Sequence, residues 1–194
     1  MAATMMKALA AAVIAAGFLA TGCGDDHDTS TATAKPSAAA AKDLGAFSVS
    51  VPPTWQEKPP ASRMRKAQWT IPGNAELVVY YFGAGGVGGI EANLSRWMGQ
   101  FQQPDGSPSK DHATINDHQL RGFEIVTVDL AGTYVAAVRP GASERLHKDG
   151  WRMLAAIVQT SQGPYYFKLL GPDAAVQAAA DDFAAMIGSI QPAK

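Results

Sequence analysis

Cysteine is nearly missing: the 194 residues hold one, Cys23. A single thiol closes no intrachain disulfide, so the chain is no disulfide-stapled scaffold and must be held by a packed core. Positive charge is not in surplus, with 16 Lys plus Arg against 17 Asp plus Glu. Nucleic-acid affinity rests on neutralising phosphates, so this balance argues against a nucleic-acid partner. Long hydrophobic runs are also missing. The nearly apolar stretch 8–20 has 13 residues, about 20 Å as a helix at ~1.5 Å per residue, short of a hydrocarbon core of about 30 Å. What the chain does have is 47% apolar residues, enough for one well-filled domain.

The short apolar run follows Lys7 and leads directly into Ala20, Thr21, Gly22 and Cys23. A basic start, an apolar middle and small residues at the end form an export signal, residues 1–22. The segment Ala20-Thr21-Gly22-Cys23 resembles the lipobox of bacterial lipoproteins. The resemblance implies that Cys23 takes a diacylglyceryl group and becomes the new amino terminus. With its acylated amine, two or three chains would give stable anchoring where one holds only marginally. An ordinary secretory signal would instead leave Cys23 as an incidental thiol. By the same resemblance, Gly24 in place of an inner-membrane retention aspartate implies the outer membrane, facing the periplasm.

Residues 23–45 are rich in Ala, Thr, Ser and Asp, and Leu44 is their only larger apolar side chain. Such a composition buries too little to offset its ordering entropy, so a tether is expected here. Residues 46–194 hold 13 basic and 13 acidic residues, a neutral unit that electrostatic steering would not guide.

Within 46–194, apolar Phe47, Val49 and Val51 alternate with Ser48 and Ser50, which predicts a half-buried strand ended by Pro52-Pro53. Ala67 to Ile71 alternates again, and Leu77 to Phe82 is apolar on both faces, the pattern of a central strand. Ile90, Leu94, Trp97, Met98 and Phe101 fall at helical spacing and predict a helix packed on the sheet. Strand-like runs follow near 113–118, 122–130, 132–138, 151–160 and 164–170, with polar loops at 102–111 and 139–150. Gly171-Pro172 opens a last helix whose buried face is Val176, Ala179 or Ala180, Phe183, Met186 or Ile187, and Ile190, with Gly188 as its stop. Strands, a helix, more strands and a helix, mostly joined by short turns, give an α+β domain with an antiparallel sheet covered by helices.

The opening Phe47-Ser48-Val49-Ser50-Val51-Pro52-Pro53-Thr54-Trp55 resembles the start of the PsbP-like superfamily. The close, Tyr165 to Leu169 and then a helix ending in Phe183, Met186, Ile187, Ser189 and Ile190, is similar to the same proteins. The resemblance implies an α-β-α sandwich over roughly residues 46–191 and an accessory or assembly role without catalysis. It transfers no functional residue.

Four patterns bear on chemistry. Gly83, Gly85 and Gly88 match the G-x-G-x-x-G dinucleotide fingerprint after a strand and before a helix. The fingerprint needs a parallel strand-helix-strand unit, and Asp105, at the right separation for a ribose ligand, lies in a turn. The glycines therefore read either as a flexible connection or as a helix start holding a small anion. Asp111-His112 and Asp117-His118 look like metal ligands, but His112 and His118 on a strand would stand about 20 Å apart at ~3.3 Å per residue. Solvated turns are expected, with no metal and no cofactor. Arg63, Arg65 and Lys66, near Trp55, are the candidate binding residues, as a carboxylate-binding or cation-π surface or else as a solvated strand entry. No Gly-x-Ser-x-Gly elbow occurs, which disfavours a serine hydrolase.

The expected function is a lipid-anchored module of the bacterial envelope that binds or assembles with a protein partner and is not an enzyme. The alternative is an envelope enzyme or transport accessory whose small-molecule pocket is rimmed by loops 102–111 and 139–150.

Overall fold

The computed structural model describes residues 39–138 and 141–193. The first elements are β1 (Ala40–Asp43), β2 (Phe47–Val51), β3 (Gln56–Glu57), β4 (Arg65–Ile71) and β5 (Ala75–Tyr81). Next come α1 (Ile90–Met98), β6 (Phe101–Gln102), β7 (Thr114–Leu120), β8 (Phe123–Ala137) and β9 (Arg145–Gln159). The chain closes with β10 (Tyr165–Pro172), α2 (Asp173–Ala178), α3 (Ala180–Gly188) and β11 (Gln191–Pro192).

The main sheet runs β3-β4-β5-β10-β9-β8-β6, with β7 also on the outer edge of β8, and every pairing is antiparallel. β5 and β10 lie inside the sheet, as two-sided apolar runs require. Leu77 and Val79 face one core with Phe167, Leu169, Ala156 and Val158. On the opposite side Met153, Ala155, Ile157 and Tyr166 join Val126, Val128 and Leu130 in a second core. The first core is covered by α2, α3 and the small sheet β1-β2-β11, the second by α1. Helices on both sides of an antiparallel sheet give the α-β-α layering expected of an α+β domain.

The Leu120 to Phe123 hairpin shows how local chemistry sets register. Arg121 and Gly122 both have positive φ, 50° and 85°, as a two-residue turn matched to strand twist requires. The turn also puts Arg121 Nη1 within 2.8 Å of Gly188 O and 3.0 Å of Ile190 O. A cation at the α3 carboxyl end satisfies carbonyls that the helix leaves open.

Several boundaries differ from the sequence expectation. β1 starts six residues before Ala46, so residues 40–43 of the stretch expected to be tether form a strand. β1 pairs β2 from Ala40↔Val51 to Asp43↔Ser48, and Leu44 is 0% exposed in the first core. One leucine and a backbone ladder suffice, which composition does not report. The runs 122–130 and 132–138 are one strand, β8, with a bulge between Gly132 and Tyr134. A bulge absorbs the glycine that looked like a turn. Residues 145–150 of the expected loop 139–150 belong to β9, pairing with the end of β8. They are exposed, so no burial pattern marks them as strand. α1 stops at Met98, and Phe101, expected on its face, starts β6 while staying buried. The last helix is divided at Ala179 without proline or glycine, yet the predicted face from Val176 to Ile190 is buried as expected.

Arg152 on β9 ties three elements together. Its Nε and Nη2 hold both carboxylate oxygens of Asp129 on β8 at 2.7 Å, and Nη1 reaches Asp173, the first residue of α2, at 3.1 Å. The fork geometry suits a bidentate carboxylate. Hydrogen bonds from Gln177, then Arg152, hold the Asp173 carboxyl below its usual range.

Two outcomes follow. Leu44→Ala should destabilise the domain by about 2–5 kcal/mol in chemical denaturation, the cost of truncating a buried leucine, whereas a leucine in a tether would cost nothing measurable. Because the folded pKa of Asp173 is depressed, its contribution is complete above the ordinary carboxylate range and is lost as pH falls through the folded value. The melting difference between wild type and Asp173→Asn should therefore shrink below about pH 4.

Candidate functional site

Cys23 lies outside the described residues. The candidate residues Arg63, Arg65, Lys66 and Trp55 do not form one surface. Trp55 is 6% exposed and belongs to the first core with Trp69, where most of its large apolar area is buried. Arg63 is exposed. A bulge between Arg65 and Ala67 turns Arg65 towards Tyr80, 5.9 Å over its ring, with Gln68 at 2.8 Å and Glu76 at 3.6 Å. Lys66 runs instead towards Gly45 beside the small sheet.

The aspartate-histidine pairs also separate. Asp111, His112, Asp117 and His118 are exposed, and no group of three possible metal ligands occurs among the described residues. His112 Nε2 meets Ser107 Oγ at 2.6 Å, and the same hydroxyl is 2.6 Å from Asp105 Oδ1. The serine stands between acid and base, whereas nucleophile activation needs the histidine in the middle. Ser107's hydroxyl and backbone N–H hold the Asp105 carboxyl below its usual range.

The glycine segment is a connection and not a phosphate cradle. β5 pairs only with antiparallel β4 and β10, so the parallel unit behind the dinucleotide fingerprint is absent. Asn93, 2% exposed on α1, shares its amide hydrogens among the carbonyls of Gly89 at 2.9 Å, Val87 at 3.1 Å and Gly88 at 3.3 Å. The segment thus turns carbonyl oxygens, not N–H groups, towards its anchor. Gly86 has φ 54°, and a Cβ there would stand 2.9 Å from Pro164 and 3.1 Å from the Tyr166 hydroxyl, so glycine is needed for close approach.

Three concavities deserve chemical reading. Loop 102–111 lines one of about 530 Å³ with Met98 and Phe101; among the described residues of 139–150, expected on the same rim, none lines it, and 145–150 extend a hairpin instead. An apolar groove of about 410 Å³ runs between Phe183 and Ile187 of α3 and Asn116 and His118 of β7. The third, about 420 Å³, opens between α1 and the sheet, within the range of small-molecule sites.

Aromatic side chains wall this third cavity: Tyr80 and Phe82, stacked at 6.1 Å and 3°, and Trp97 edge-on to Tyr166 at 6.1 Å. Two cations enter it. Arg96 Nη2 donates to Asn93 Oδ1 and to Val87 O at 3.3 Å. Lys168 on β10 donates to Gln100 Oε1 and sits 5.5 Å from the Tyr134 ring centroid. Neither cation pairs with a carboxylate among the described residues. Burial, with a smaller repulsion from Arg96, lowers the Lys168 ammonium to about 8, because both effects disfavour the charged form. Burial raises the Tyr80 and Tyr134 phenols, which stay neutral beside it.

Neither Lys168 nor Arg96 stood out in the sequence reading. The signal was present for Lys168: it is the one charge within Tyr165 to Leu170, a strand apolar on both faces. Arg96 gave none, since an arginine on the polar side of an amphipathic helix is ordinary.

No family model matches the chain, and no curated protein matches it by sequence. Among solved structures it is similar to the cyanobacterial PsbP protein CyanoP from Synechocystis sp. PCC 6803. The identity is 11% over 89% of this chain and 98% of that one, with a TM-score of 0.53. A protein from Bacteroides thetaiotaomicron VPI-5482 matches 82% of this chain and 50% of its own length at 12% identity and TM-score 0.44. A protein of unknown function from Pseudomonas aeruginosa matches 81% of this chain and 99% of its own at 12% identity and TM-score 0.40. The likeness to CyanoP shows the fold, which is PsbP-like as the Phe47 to Trp55 opening implied.

An NMR titration of the Lys168 side chain should find it deprotonating near pH 8, below the ~10.4 of a free lysine. Arg96→Gln should move that midpoint upward, because a like charge has been removed. Since the folded value is the lower one, the unfolded chain binds the extra proton between these values, and stability should rise with pH across that window.

Proposed function

We propose that the chain is a lipid-anchored module of the bacterial envelope that binds a ligand or partner without transforming it. The observation that carries the binding half is the cavity between α1 and the sheet. Its polar lining includes two amides, two cations, two phenols and an indole, groups that grip and orient a ligand. The acid-base pairs of hydrolytic chemistry are not gathered there. Support for the anchor comes from the sequence alone: the short apolar run, the small residues 20–22 and the single cysteine directly after them. The resemblance to PsbP-like proteins, implying an accessory role, agrees with this reading. Outer-membrane attachment facing the periplasm, with a protein partner there, follows from the same signal and from Gly24. The concavity lined by loop 102–111 favours a second reading, a transport accessory that holds its cargo at that rim.

Cell fractionation tests the anchor. The wild-type protein should sediment with membranes and Cys23→Ser should leave them, and mass spectrometry of the wild type should find a mature terminus at Cys23 carrying the mass of its acyl chains. A mature terminus elsewhere without lipid mass would overturn the anchored module.

A further inference from the structure

We propose that the cavity between α1 and the sheet binds a small organic carboxylate with a flat or apolar body, its charge held by Lys168 and Arg96. This rests on the reading of the chain as a binding module and names the class of ligand.

The charge requirement comes from the donors. An ammonium has three N–H groups and Lys168 gives one contact to Gln100; a guanidinium has five, and the Arg96 contacts all come from Nη2. Both side chains therefore keep donors for a ligand. They share one cavity without a carboxylate among the described residues, and Arg96 acts on Lys168 as a like charge. An anion between them relieves that repulsion and receives charge-assisted hydrogen bonds. Other cations are held by carboxylates: Arg65 meets Glu76, Lys42 meets Glu57, and Arg152 meets Asp129 and Asp173.

The body of the ligand is set by the walls. Tyr80 and Phe82 stack nearly parallel, while Trp97 and Tyr166 meet edge to face. An inorganic anion would leave these faces against water, whereas an aryl or alkyl group attached to the carboxylate would cover them. Residues hold the walls in place: Asn93 fixes the turn before α1 through three carbonyls and lies 3.4 Å from the Tyr166 hydroxyl. The site is thus built before a ligand arrives, which limits the ordering cost of binding.

Calorimetry on the full-length protein in non-ionic detergent would test it, with benzoate, phenylacetate, indole-3-acetate and hexanoate as probes. At least one carboxylate should bind saturably with one site per chain. Lys168→Met and Arg96→Gln should each weaken it about tenfold to a hundredfold, the loss expected for a hydrogen bond to a charged group. The matching neutral amide should bind at least about tenfold more weakly, and inorganic phosphate should not displace the carboxylate. Equal binding of acid and amide, or undiminished binding in the double variant with native circular dichroism and melting, would overturn the ligand class while leaving a binding module. Occupancy by none of the probes at millimolar concentration would overturn the site itself. Membrane release on Cys23→Ser is read separately and is unaffected by either result.

Discussion

The inner strands β5, β9 and β10 are apolar on both faces, and that constraint organises the domain. A sheet with two hydrophobic sides has to be covered twice. The first side takes α2, α3 and the small β1-β2-β11 sheet, which explains why four residues that look like tether are drawn into a strand. Leu44 seats itself under that layer, and Tyr165 donates its hydroxyl to Leu44 O at 2.9 Å, joining the amino-terminal strand to the middle of the main sheet. Phe47 completes the contact, with its ring 4.9 Å from Tyr165 and 5.5 Å from Phe123.

The second side is covered less completely. One short helix, α1, spans a sheet face that includes Tyr80, Phe82, Tyr166 and Lys168, and the space it leaves is the aromatic cavity. A helix of nine residues is about 13 Å long at ~1.5 Å per residue, too little to cover a seven-strand path. The same shortage keeps Lys168 in contact with the cavity while its stem is buried, so a charge survives inside a strand where solvation alone would exclude it. Site and packing defect are one feature.

The glycine segment shows how local resemblance and global topology part company. Residues 83–88 follow a strand and precede a helix, as a nucleotide loop does. The antiparallel neighbours of β5 remove the crevice at parallel strand ends that a dinucleotide needs, and Asn93 and Arg96 take up carbonyls that a phosphate would repel. The glycines serve proximity instead, letting the chain pass close to Pro164 and Tyr166.

Periodicity by itself determined the α+β class, the two-sided central strands and the buried face from Val176 to Ile190, because burial of alternating or helical positions is a local property of each segment. It left the ends of elements unresolved wherever exposure was uniform, as at residues 145–150, or where one leucine carried the burial, as at Leu44. The basic cluster divides for a related reason: neighbours along a strand point to opposite faces, so Arg65 and Lys66 part. Only the tertiary structure brought Lys168 and Arg96 together. They lie 72 positions apart on a strand and a helix, and no spacing within a segment encodes which helix will lie across which strand. That choice follows from the registry of the whole sheet, which is settled by the packing of both its faces at once.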